Sequence, residues 1–99
     1  MAKTETLPFD AAKYLTSPEA QTELLAEAIE SGDPSFIANA LGTIARARGM
    51  SKIAKEAGVT REALYKGLTA QHDPRLSTVL GVLKALGVKL TVEKEATRI

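Results

Sequence analysis

The stretch MSKIAKEAGVTREALYKGLT, residues 50–69, constrains the fold more tightly than any other part of the chain. It reads as a helix-turn-helix. Ser51 is placed to cap a short helix over residues 52–57 through its hydroxyl. Gly58 sits where the chain must leave that helix, a position that favours a left-handed backbone. Val59 follows as an apolar plug, and Thr60 is a good N-cap for a second helix over residues 61–68. Ile53, Ala54 and Ala57 fall three and four apart and so share one buried face, with Ala54 small enough for two helices to cross closely. In the second helix Leu64 and Leu68 form the buried row, with Ala63 beside them. That row leaves Arg61, Glu62, Tyr65, Lys66 and Thr69 pointing outward. One aromatic, two cations and short polar groups suit the major groove of double-stranded DNA. The DNA-facing set is therefore Ser51, Lys52, Thr60, Arg61, Glu62, Tyr65, Lys66 and Thr69. The blander reading of the same pattern is a three-helix core whose surface serves protein contact.

Net charge is +1 over 99 residues, but the two halves differ. Residues 1–45 hold two cations, Lys3 and Lys13, against seven carboxylates, giving −5; residues 46–99 hold eleven cations against five, giving +6. The basic half contains the helix-turn-helix, and an acidic front with a basic back points to two partners of opposite charge. The simpler alternative is that solvated helix faces merely differ in sign. Arg46, Arg48, Lys55 and Arg75 are the candidates for phosphate contacts. The chain has no cysteine, so disulfides, thiolate chemistry and zinc fingers are excluded, which fits a reducing cytoplasm. His72 is the single histidine, with no carboxylate pair at ligand spacing, so no metal role is expected. A Gly-rich phosphate loop and a nucleophile–base set are also missing, so neither catalysis nor a cofactor is expected. No apolar run approaches the ~20 residues of a membrane span. Lys3 and Glu5 are followed by no apolar stretch of secretory type.

Taken in order, residues 1–9 read as a loose start, with Leu7 and Phe9 available for packing, and Asp10 can cap a one-turn helix over 11–15. Ser17-Pro18-Glu19 is a strong helix start, and that helix should run to residue 30 or 31 and stop at Gly32. Its apolar residues Leu24, Leu25, Ala28 and Ile29 make a narrow stripe opposite Glu23, Glu27 and Glu30, the pattern of a thinly buried, acidic surface helix. Asp33-Pro34 repeats the start, and Phe36, Ile37, Ala40, Leu41, Ile44 and Ala45 give the broad stripe of a core helix ending at Gly49. Residues 70–75 form a loop around Asp73-Pro74. The last helix, 76–86, carries Leu76, Val79, Leu80, Leu83 and Leu86 at helical spacing. Gly81 inside it costs about 1 kcal/mol relative to alanine, which a close backbone approach would justify. After Gly87, residues 88–94 alternate apolar and polar with β-branched side chains, the one clear strand signal. A lone strand leaves an open edge, so pairing through Val88, Leu90 and Val92 with a second subunit across a two-fold is expected; the alternatives are pairing with residues 7–9 or a frayed tail. Residues 95–99 are expected to be disordered.

FDAAKYL at 9–15, FIANALGTIARARGMSKIAKEAGVTREALYKGLT at 36–69 and PRLSTVLGVLKALGVKLTV at 74–92 together resemble the HigA-like addiction-module antitoxins with a phage-repressor-type (Xre/Cro-like) helix-turn-helix. The resemblance implies a fold, an all-α, lambda-repressor-like bundle with extra N-terminal helices and a short C-terminal strand pairing in a homodimer. It also implies repression of the chain's own operon through double-stranded operator DNA. The implied partner is a small basic toxin similar to RelE-type messenger-RNA endonucleases, met in a bacterial cytoplasm at the nucleoid, with no membrane involved. Gly67 stands where such recognition helices often carry alanine, and Gln71-His72-Asp73 replaces a more usual Gly/Asn-containing loop. The expected organisation is an acidic helical extension at 1–33, a DNA-binding domain at 34–87 and a dimerisation strand and tail at 88–99. A toxin is expected to meet the acidic helix at Glu19, Glu23, Leu24, Glu27 and Ala28. The competing functional reading is a phage-type transcriptional repressor with no toxin partner.

Overall fold

A computed structural model describes residues 16–69 and 73–95. The expected helix at 11–15, packing by Leu7 and Phe9, His72 with its loop neighbours, and the last four residues lie outside the described residues. Five helices follow in order: α1 (Pro18–Ser31), α2 (Pro34–Arg48), α3 (Met50–Ala57), α4 (Arg61–Gly67) and α5 (Leu76–Leu86). The chain is a helical bundle. Local chemistry accounts for most helix ends. Ser17 Oγ accepts from the Ala20 N–H at 3.1 Å, and Asp33 Oδ1 accepts from the Ser35 N–H at 2.9 Å. In each case proline occupies the first helical position, where no N–H is needed.

The joint between α2 and α3 is the single residue Gly49, with φ +108°, a value that an L side chain rarely adopts. It also displaces an expected cap. Helix α3 begins at Met50, with the Gly49 carbonyl accepting from the Ile53 N–H at 3.0 Å. Ser51 is thus already inside the helix and makes no capping bond.

One core unites all five helices. Leu25 comes from α1, Leu41, Ile44 and Ala45 from α2, and Met50, Ile53 and Ala54 from α3. Leu64 and Leu68 come from α4 and its end, and Val82, Leu83 and Leu86 from α5. The first helix is therefore not marginal to the core. Leu25 and Ala28 are buried, and buried Gln21 accepts from Arg48 Nε at 2.8 Å, tying α1 to the end of α2. Two glycines allow close crossings. A Cβ on Gly42 would lie 2.7 Å from the Leu68 carbonyl oxygen, so α2 and the end of α4 meet backbone to backbone. A Cβ on Gly81 would lie 3.1 Å from the Ala57 carbonyl oxygen, which brings α5 onto the end of α3.

That second crossing sets the rotation of α5 against expectation. With the Gly81 side turned to α3, Val82 becomes fully buried. Leu76 and Leu80, expected in the core, are 67% and 46% exposed. Ala63, expected beside the buried row of α4, is also exposed. Residues 88–95 form neither helix nor strand ladder. Within a single chain the described residues offer the expected strand no partner. Val88 leans on the core, its N–H donating to the Leu83 carbonyl at 3.0 Å, while Leu90 and Val92 are 48% and 98% exposed.

Candidate nucleic-acid interface

Helices α3 and α4 pack on one another across a three-residue turn. Gly58 takes φ +79°, and its N–H donates to the Lys55 carbonyl at 3.2 Å while the Val59 N–H reaches the Ala54 carbonyl at 3.0 Å. These bonds close the end of α3, as left-handed helix caps do. Half-buried Val59 packs against the core beneath the turn. Thr60 Oγ1 then accepts from the Ala63 N–H at 3.0 Å and starts α4. Leu64 and Leu68 key α4 into the core, which fixes the rotation of a helix of only two turns.

With that rotation, Arg61, Glu62, Tyr65 and Lys66 are all exposed, as is the capping residue Thr60. Arg61 and Tyr65 are one turn apart, and the guanidinium lies over the Tyr65 ring, 5.2 Å from its centroid. Their four-residue spacing puts them on one outward face in the sequence, and the structure adds the stacking of guanidinium on ring. Thr69 is half-buried. On α3, Ser51, Lys52 and Lys55 are exposed.

The remaining cations divide. Arg46 is exposed, and its Nη2 is 3.5 Å from Thr43 Oγ1 on the side of α2 that carries Gly42 and hence the end of α4. Arg75 is exposed at the head of α5, one turn before Thr78, whose methyl approaches Gly67 of α4. Arg48 does not join them. Two residues apart on a helix means about 200° of rotation. Arg48 therefore faces α1, is half-buried, and is held by Gln21. Its Nε helps hold the bundle together, on a side of α2 away from Arg46.

On α1, Glu19, Glu23 and Glu27 are exposed and Leu24 is half-buried. Ala28, expected at a partner surface, has no exposed area and can touch no partner, because the 21–25–28 row is the one turned into α2. Beside the acidic ridge runs a groove of about 690 Å³ between α1 and residues 88–95, with Thr22, Ala26 and Ile29 on its α1 wall. Thr22 and Ala26 lie outside the expected apolar stripe and were not expected at a partner surface, whereas Ile29 belongs to that stripe. Among the described residues, no group of three or more His, Asp or Glu is placed to hold a metal ion, and no helix is long and apolar enough to cross a membrane.

Among the described residues, a bundle of five helices with an acidic first helix and a cation-bearing short fourth helix defines a small helical protein with surfaces of opposite charge. The chain belongs to the family described as probable addiction module antidote protein, whose family model matches residues 5–94. Membership gives it the role of an antidote and implies a toxin as its partner. The chain is also similar to an uncharacterized protein of Haemophilus influenzae, with 44% identity over 86 residues, covering 87% of this chain and 89% of that one. No solved structure matches it.

Proposed function

We propose that the chain is a HigA-like antitoxin of a type II toxin–antitoxin module. It binds the operator of its own operon through a helix-turn-helix formed by α3 and α4 and neutralises a RelE-like toxin. It acts by binding rather than by catalysis, in a bacterial cytoplasm at the nucleoid. The observation that carries the DNA-binding part is α4 itself. This two-turn helix is capped by Thr60 and keyed by Leu64 and Leu68, and it presents Arg61 stacked on Tyr65 beside Lys66. A short helix held so firmly has its exposed row set before any ligand arrives, as base readout requires. Arg61 reads a guanine edge, Tyr65 contacts a thymine methyl or the sugar–phosphate backbone, and Lys52, Lys55, Arg46 and Arg75 neutralise phosphates. The protein acts as a homodimer in which residues 88–94 pair across a two-fold. Val92, 98% exposed on an alternating segment, supports that assembly.

The test is quantitative binding to the promoter of its own operon. Arg61→Ala is expected to lose about 1–3 kcal/mol of specific affinity. The triple variant Arg61→Ala, Tyr65→Ala, Lys66→Ala should retain helical circular dichroism and lose specific binding. Unchanged affinity in that folded triple variant overturns the assignment.

A further inference from the structure

We propose that the groove between α1 and residues 88–95 is where the toxin docks, and that it receives a basic amphipathic helix of that partner. The inference rests on the antidote reading and deepens it by naming the surface. The floor is apolar, with Leu25, Ile29, Leu83, Val88 and Leu90. Ile29 and Leu90 are large apolar side chains left partly in solvent by a protein that buries Leu25 and Leu83 beside them.

Charge specifies the occupant. Residues 16–33 hold Glu19, Glu23, Glu27, Glu30 and Asp33 and not one lysine or arginine. At 3.6 residues per turn, Glu19, Glu23 and Glu30 project within about 60° of Ala26, which lines the groove. One rim is therefore a continuous acidic ridge. Lys89 and Lys94 on the opposite wall are interleaved with Glu93 and Glu95, so they do not reverse the sign. From Thr22 to Glu30 the α1 wall runs about 12 Å at 1.5 Å per residue, long enough to seat about two turns of a helix. A helix with apolar side chains on one stripe and cations on its flank satisfies both the floor and the ridge. The ridge sets the rate and orientation of encounter, and the apolar floor sets how long the complex lasts. Because α1 packs on α2 while α4 packs on α3, docking in the groove leaves the exposed row of α4 uncovered.

The probe is the purified protein encoded by the reading frame adjacent to this one, titrated into the full-length chain by calorimetry and by stopped-flow. Wild-type chain is expected to bind it and to restore growth of cells expressing it. Ala26→Lys, an exposed change, and Ile29→Lys should each weaken binding at least about tenfold. Both variants should keep operator affinity and helical circular dichroism. The double variant Glu23→Gln, Glu30→Gln should slow association severalfold and leave dissociation nearly unchanged. If wild type binds and folded Ala26→Lys binds within about twofold of it, the groove is the wrong surface and the proposal is overturned, whatever Ile29→Lys does to folding. If Ala26→Lys instead converts a dimer to a monomer with toxin affinity intact, the groove belongs to a second copy of this chain and the proposal is likewise overturned. Failure of the wild-type chain to bind removes the toxin reading itself, and the docking proposal with it.

Discussion

Replacing Arg48 by alanine should damage the fold and spare the proposed DNA contact. The Nε of Arg48 donates to Gln21 Oε1 at 2.8 Å, and Gln21 is buried between α1 and α2. A hydrogen bond from a charged donor contributes about 1.5–3 kcal/mol. Arg48 is only half-buried, so water replaces part of the lost bond; about 1–2 kcal/mol is the expected net loss. For a domain of this size each kcal/mol lowers the thermal midpoint by roughly 4–8 °C, so a fall of about 4–16 °C is expected. Thermal unfolding followed at 222 nm measures it. Operator affinity, compared at a temperature where both proteins are folded, should stay within about twofold. Arg46→Ala should instead weaken binding in a salt-dependent manner. Arg48→Ala with an unchanged midpoint and a tenfold loss of DNA affinity would refute the division of these two arginines between core and surface.

Gly42→Ala should destabilise the protein by about 1–2 kcal/mol despite alanine's better helix propensity, because the new Cβ must push back the Leu68 backbone 2.7 Å away; denaturant titration reads this, and a stabilised variant would show that the crossing has slack. If about six phosphates are contacted per dimer, log K against log salt should slope near −5, whereas a slope near zero would mean that the cations of α3 and α4 do not face DNA. Ending the chain at Gly87 should give a folded monomer with much weaker operator binding, because half-sites ~34 Å apart then bind independently. Light scattering reads the assembly, and a stable dimer without residues 88–99 refutes pairing through the tail.

Helix starts and stops were legible in the sequence wherever a local group satisfies an orphan backbone atom. Ser17, Asp33 and Thr60 cap as expected, and α4 is keyed by Leu64 and Leu68 as their spacing requires. These features depend on residues three or four apart, so short-range chemistry determines them. What depends on how two helices cross was decided only in the folded molecule. The Gly81–Ala57 approach turned α5 so that Val82 went in and Leu76 and Leu80 came out, although a leucine stripe alone favours the reverse. The single-residue joint at Gly49 took the helix start away from Ser51. Gln21, a polar residue inside an otherwise apolar row, drew Arg48 to α1 and away from Arg46. The row containing Gln21, Leu25 and Ala28 faces α2, so the surface of α1 open to a partner became Thr22, Ala26 and Ile29 beside the acidic ridge. Periodicity marks which residues share a helix face, but it does not state which face a neighbouring helix will cover. That choice is made by the closest backbone approach available, and here two glycines and a buried glutamine made it.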